Sequence, residues 1–331
     1  MSARLHLHLP DFDYADIYRA ERLPALDALF QARLQSVDAA LAKTYRDYRA
    51  GVALDEGAEA ALLIGVAKIL EDFLVSAFDI VPARDALRAQ QTREDVIHRF
   101  KEKFVKPRAR RKRATPPRAF QVLDALLPPL QEADRELAMA QHWADASARE
   151  DESQLTLLEE WVQAAVNSPA GRAATQDWVS LKLPQRTEYF ALVKTEAVGF
   201  SSSQVQGPQA THRPRDGFNL TDTRCSHREA MDQVHYCVYC HAHQGDSCSR
   251  GFAEKDGVNL RKNPLDVELT GCPLGEKISE AHVLKRDAYT LAALAVIMID
   301  NPLLPATGHR ICNDCMKACV YQKQDAVNIP Q

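Results

Sequence analysis

The stretch Cys237-Val238-Tyr239-Cys240-His241-Ala242-His243-Gln244-Gly245-Asp246-Ser247-Cys248 decides how this chain is read. It holds three cysteines, and the pattern continues outward as Cys272-Pro273 and then Cys312-x2-Cys315-x3-Cys319. With Cys225 these are all eight cysteines of the 331-residue chain, and every one falls after residue 224. In a reducing compartment such clustering argues for metal ligands rather than disulfides. Phe218 to Cys248 also carries too few apolar residues to build a core of its own. A segment of that kind needs another organiser, and a metal site supplies one.

Iron–sulfur clusters need thiolates held close by a tight backbone, which C-x2-C does within one turn. In two-cluster ferredoxins three cysteines of a run hold one cluster, and a further one crosses to the other. Applied here, that logic gives Cys237, Cys240 and Cys248 the distant Cys319 as fourth ligand of cluster one. Cys272, Cys312 and Cys315 hold cluster two and lack a fourth ligand. Zinc is the rival, because two C-x2-C pairs are also a zinc-ribbon signature. The pairs here lie about seventy residues apart, whereas ribbons keep them within about twenty. Cys225 stands outside the pattern and reads as an ordinary thiol. His235, His241 and His243 read as polar loop residues near a cluster, with ligation to iron as the alternative.

The order of these motifs carries a resemblance. The Cys237 to Cys248 run, Cys272-Pro273, Asn301-Pro302, Gly308-His309-Arg310-Ile311-Cys312 and Val327-Asn328-Ile329 follow one another. This order resembles the N-terminal iron–sulfur domain of dihydropyrimidine dehydrogenase and of the glutamate synthase small subunit. The whole chain is similar to a bacterial group of large FAD-dependent pyridine nucleotide-disulfide oxidoreductases related to that subunit. Asp246 to Ser249 and Gly308 to Lys323 carry that likeness, which is weaker over the N-terminal part. The resemblance implies two [4Fe–4S] clusters in a loop-rich domain of the α-helical ferredoxin type. It implies electron transfer between a flavin and a partner redox centre, with FAD and NAD(P)H in an associated or downstream domain or subunit. Catalysis at the substrate then belongs elsewhere, and no catalytic or flavin-binding residue is expected in this chain.

Three departures bear on the ligands. A polar loop separates Cys248 from Cys272, where the related families keep about three residues. Cys312 to Cys315 is shorter than its counterpart in dihydropyrimidine dehydrogenase. That enzyme also uses a glutamine ligand just beyond the Asn-Ile segment, which falls here at or past Gln331. The fourth ligand of cluster two is therefore Gln331, Cys225, or a residue outside the chain. No G-x-G-x-x-G turn, P-loop, G-x-S-x-G elbow or H-E-x-x-H occurs. The chain is thus expected to be the front of a longer polypeptide or one half of a split enzyme. A zinc-stabilised interaction module and an iron–sulfur sensor are the other readings.

Outside the cysteines the periodicity is helical. Apolar residues at helical spacing predict helices over residues 24–49, 56–78, 120–127, 130–148 and 155–166, with little strand pattern. Pro82 is expected to end one helical region and Thr92 to Asp95 to begin the next. Two helices are expected over 276–286 and 288–299, the second apolar nearly all round and hence buried. The fold class is mainly α. The domains are a helical part, 1–198, a Ser-, Gln-, Gly- and Pro-rich linker, 199–217, and the double-cluster part, 218–331.

Residues 106–118 form a basic stretch that reads as an exposed connection, and Arg108 to Arg113 as a solvated face or a docking surface. Trp143, Trp161 and Trp178 read as core. Asp11, Asp13 and Asp16 read as an exposed helix start. A net charge of −4 lacks the basic footprint of a nucleic-acid binder. With 46% apolar and 26% charged residues, no signal-peptide pattern and no apolar run of membrane length, a cytoplasmic protein is expected.

Overall fold

The computed structural model describes residues 6–110, 118–127, 133–198, 204–209, 212–213, 216–218, 224–243, 245–308 and 312–330. The fold is mainly α. A short antiparallel hairpin pairs β1 (His6–Leu9) with β2 (Phe12–Asp13). The helices then follow as α1 (Leu23–Val37), α2 (Ala39–Arg49), α3 (Glu56–Ala77), α4 (Val81–Phe100), α5 (Lys106–Arg110), α6 (Phe120–Leu126), α7 (Arg135–Ala148), α8 (Glu152–Asn167) and α9 (Pro169–Ala174). A second minimal hairpin pairs β3 (Glu196–Ala197) with β4 (Val205–Gln206). The cysteine region holds α10 (His227–Tyr236), α11 (Ser247–Arg250), α12 (Ile278–Arg286), α13 (Thr290–Met298), α14 (Leu304–Thr307) and α15 (Asp314–Lys317). No helix among the described residues is long and apolar enough to cross a membrane.

Two compact units emerge, and neither is continuous in sequence. One comprises Met1–Phe30 with Asp72–Leu183, the other Gln31–Glu71 with Pro184–Gln331. A single boundary in the 199–217 linker does not describe this grouping, because residues 31–71 go with the cysteine-bearing part. Much of that linker, together with Arg111 to Arg113 and Gln331, lies outside the described residues.

Several helix boundaries differ from the periodicity. The apolar run 24–49 is two helices, because Asp38 adopts an extended backbone and its carboxylate accepts from the Leu41 amide at 2.9 Å. Pro82 does not end a helical region; it sits in the first turn of α4, where its missing N–H costs nothing. Thr92 is no helix start: its hydroxyl donates to the Arg88 carbonyl at 2.9 Å inside the same helix. A turn of π-helix over Lys101–Val105 carries the chain into α5, so the basic stretch begins as helix rather than as an open connection. There Arg108 pairs with Glu159 at 3.1 Å and lies over the Phe104 ring at 3.7 Å.

The first unit has a large aromatic core in which Phe100, Phe104, Trp143, Leu158, Trp161 and Trp178 pack together. The three tryptophans are core, as their spacing predicts. Trp161 is fully buried, stands 5.5 Å from the Trp178 ring, and donates its indole N–H to Asp124 at 2.9 Å. The acidic group near the N-terminus is only partly as expected. Asp11 and Asp13 are exposed, but Asp16 is buried, where it accepts from the Asp13 amide and pairs with Arg19 and Arg22.

In the second unit Ala67 of α3 packs with Leu284 of α12 and with Ala292 and Val296 of α13. Tyr289 cannot cap α13 with its own side chain. Glu71, 1% exposed, supplies the missing acceptor and takes the Ala292 amide at 3.0 Å. Helix α13 is not buried all round: Leu294 is 38% exposed, and it lines a cavity with Ile297.

Candidate functional site

Seven of the eight cysteines line two cavities of the second unit. Cys237, Cys240, Cys248 and Cys319 line one, a narrow space of about 10 Å³. Cys272, Cys312 and Cys315 line the other, of about 580 Å³. Cys248, Ile278 and Cys315 belong to one buried cluster, with Cys272 and Ile329 packed against it. The two cysteine sets are therefore neighbours. No disulfide joins any of the eight.

Local structure explains how residues this far apart in sequence meet. Helix α10, not foreseen from periodicity, is started by a reciprocal cap. The Ser226 hydroxyl accepts from the Glu229 amide at 3.2 Å, and the Glu229 carboxylate accepts from the Ser226 amide at 2.9 Å. The helix stops at Cys237. Tyr239 then takes a left-handed backbone, φ +54°, which turns its amide back to donate to the Cys237 Sγ at 3.3 Å. The Tyr239 side chain holds that turn: its hydroxyl donates to the Val234 carbonyl at 3.1 Å, and the Arg286 guanidinium lies 4.7 Å from its ring centre.

The distant Cys319 is brought in by aromatic stacking. Tyr236 precedes Cys237 and Tyr321 follows two residues after Cys319; their rings stack at 4.4 Å and 7°. The Tyr236 hydroxyl donates to the Asp325 carbonyl at 2.9 Å, and the Asn328 amide donates to the Gln233 side chain at 2.9 Å. The C-terminal tail is thereby fastened along α10. Val327 is buried, and Ile329 lines both cavities.

The loop between Cys248 and Cys272 closes on itself. Phe252 donates to Leu269, Arg261 to Phe252, and Leu269 to Arg261, each at 2.8–2.9 Å through the backbone. At its mouth the Cys272 amide donates to the Cys248 carbonyl at 2.8 Å. Gly251 and Gly271 make that closure sterically feasible. Both have φ in the left-handed region, +94° and +74°, and a Cβ on Gly271 would stand 2.3 Å from the Gly251 nitrogen. The loop thus leaves Cys272 beside Cys248.

Burial dominates the electrostatics. It pushes the Cys237 and Cys315 thiols up to about 12 and Cys240 up to about 11, and it raises Cys248 and Cys272 as well. Neighbouring sulfurs add to the effect, Cys319 on Cys237 and Cys272 on Cys315. Opposing it at Cys272, backbone amides of Glu276, Leu274 and Gly275 point at the sulfur. The Asp314 amide donates to the Cys312 Sγ at 3.4 Å. Amides aimed at sulfur stabilise the thiolate form. Asp246, beside Cys248, is pushed up to about 6 by burial and by Glu280.

This donor set fits an iron–sulfur centre by its chemistry: grouped thiols in apolar surroundings, with backbone N–H groups turned onto the sulfurs. Among the described residues no three His, Cys, Asp or Glu side chains converge as a single metal ion requires. A four-iron cube takes one thiolate at each iron, so its ligands stand further apart than those of one ion.

The remaining candidates fall outside the two cavities. Cys225 is half-buried, its thiol raised by burial and by Glu229, and it lines neither cavity. His235, His241 and His243 line neither; His241 Nδ1 lies 2.6 Å from the Ser279 hydroxyl. Sequence reasoning missed Tyr236, Tyr239, Tyr321 and His282. His282 lines both cavities, and burial pushes its imidazole down to about 4, so the ring is neutral at pH 7. Of these four, only the tyrosines left a signal, since they flank the cysteines.

Comparison with known proteins gives short matches. A family model described as the RP005 N-terminal alpha-helical domain matches residues 7–79, the span of β1, β2 and α1 to α3. The chain is 42% identical over 77 residues to the uncharacterized protein RP005 of Rickettsia prowazekii, covering 22% of this chain and 26% of that protein. It is 79% identical over 28 residues to the uncharacterized protein RP006 of the same organism, covering 8% of this chain and 4% of that one. The chain thus spans about a quarter or less of the length of these relatives. No solved structure matches.

Proposed function

We propose that this chain is the iron–sulfur electron-transfer portion of a FAD- and NAD(P)H-dependent oxidoreductase, passing electrons between a flavin partner and a second redox centre. The observation that carries the reading is the four-plus-three division of the cysteines between two adjoining cavities, with Cys319 among Cys237, Cys240 and Cys248. That division follows the crossed ligation of two-cluster ferredoxins. Two [4Fe–4S] clusters held there would supply one-electron transfer. The chain's own residues hold the sulfurs, exclude water through Ile278, Val327 and Ile329, and turn amides onto Cys237, Cys272 and Cys312. Amide–sulfur bonds and burial are the means by which a protein sets such a potential.

The test uses single substitutions in anaerobically reconstituted protein. Cys319→Ser and Cys237→Ser are expected to abolish the same cluster signal, and Cys272→Ser the other. Pairing of Cys272 with Cys237 in those spectra would contradict the assignment. The protein is expected to accept electrons from a dye but to show no nicotinamide oxidation until a flavin partner is added. Bound FAD in the purified chain, or nicotinamide turnover without a partner, would contradict the division of labour.

A further inference from the structure

We infer that His282 supplies the fourth bond to the centre held by Cys272, Cys312 and Cys315, through Nδ1 of its imidazole. The inference rests on the iron–sulfur reading above and deepens it. Among the described residues four cysteines line the first cavity and three the second, so the second set is one donor short there. His282 lines both cavities from α12, one turn after Ile278, which also lines both. Its Nδ1 is shut off from solvent and has no hydrogen-bond partner. A buried ring nitrogen left in that state is destabilising, and a bond to iron removes the penalty.

The other polar groups of the second cavity are less suited. Glu276 accepts from the Asn301 side chain at 2.8 Å, and Lys285 donates to the Thr290 hydroxyl at 2.9 Å and has no lone pair when charged. A carboxylate would add a fourth negative charge to three thiolates in a cavity with mainly apolar walls. A neutral imidazole adds none, and burying fewer charges is cheaper. In the bonded form the Nδ1 lone pair goes to iron and Nε2 keeps the ring proton, so no electron or proton leaves the site. Replacing thiolate by imidazole raises the potential of an iron–sulfur centre. The second centre is therefore expected to be reduced before the four-cysteine centre.

The test is pulsed EPR of the dithionite-reduced, iron-reconstituted full chain. The expected result is a strong nitrogen coupling on one of two cluster signals. It should change isotopically when the protein is grown with ¹⁵N-histidine, which needs no substitution and no change of fold. His282→Cys is expected to keep the iron content, abolish that coupling and shift one midpoint potential downward. Iron-loaded wild type without a histidine nitrogen on either centre, or a coupling that survives in His282→Cys, overturns the inference and leaves the electron-transfer reading standing. A protein that takes up no iron overturns both.

Discussion

In the first unit Trp161 is fully buried, with the Phe120 and Trp178 rings 5.7 and 5.5 Å from its own, inside a large apolar cluster drawn from α4, α6, α7 and α8. Around the cysteines the corresponding buried cluster is Cys248, Ile278 and Cys315. The helices there are also short: α11, α14 and α15 have four residues each. One turn of helix does not nucleate by itself, so these pieces take their stability from what holds them together. The first unit is held by apolar burial, and the cysteine region by tyrosines, glycine closures and, on the reading proposed here, metal–sulfur bonds. Apolar periodicity therefore reveals the first kind of architecture and, of the second, α12 and α13 but not the short pieces that carry the cysteines.

The largest expected effect is metal removal. Stripping iron with a chelator under reducing conditions should abolish hydrogen-exchange protection over residues 237–248 and 312–319, and leave α7 and α8 protected. Equal loss in both regions would break the contrast. Next comes Trp161→Ala, expected to cost about 3–5 kcal/mol through the lost indole and its cavity. Chemical denaturation of the first unit, followed by far-UV signal, measures it. The iron content under native conditions should not change, and a fall in iron of similar proportion would contradict the separation.

These predictions show where the sequence was informative. The helices α3, α7, α8, α12 and α13 were legible because each buries one face. The start of α4 was not, because Pro82 reads as a stop when it follows a helix and as a first-turn residue when it opens one. Helix α10 was missed for its few apolar residues, although Ser226 and Glu229 spell its cap. The stacking of Tyr236 on Tyr321 and the place of His282 between the cavities depend on tertiary contacts that no local pattern contains.

Two smaller effects sharpen the comparison inside the second unit. Glu71→Ala removes the acceptor for the Ala292 amide and is expected to cost about 1–3 kcal/mol by denaturant titration. Glu71→Gln, which keeps an acceptor oxygen, should recover part of it. Gly271→Ala forces a Cβ onto the Gly251 backbone at a left-handed φ, and more than about 1 kcal/mol is expected. Because it displaces Cys272 from Cys248, it should lower iron occupancy of the second centre more than that of the first. An unchanged ratio between the two centres would show that the loop closure does not position Cys272.

On the proposed reading the seven cysteines of the two cavities hold two iron–sulfur clusters. Analysis of iron, zinc and acid-labile sulfide in the anaerobically purified and reconstituted chain tests it most directly. About eight irons and eight sulfides per chain are expected, with broad visible absorbance that fades on reduction. Stoichiometric zinc with neither iron nor sulfide would contradict it and leave a zinc-stabilised module in its place.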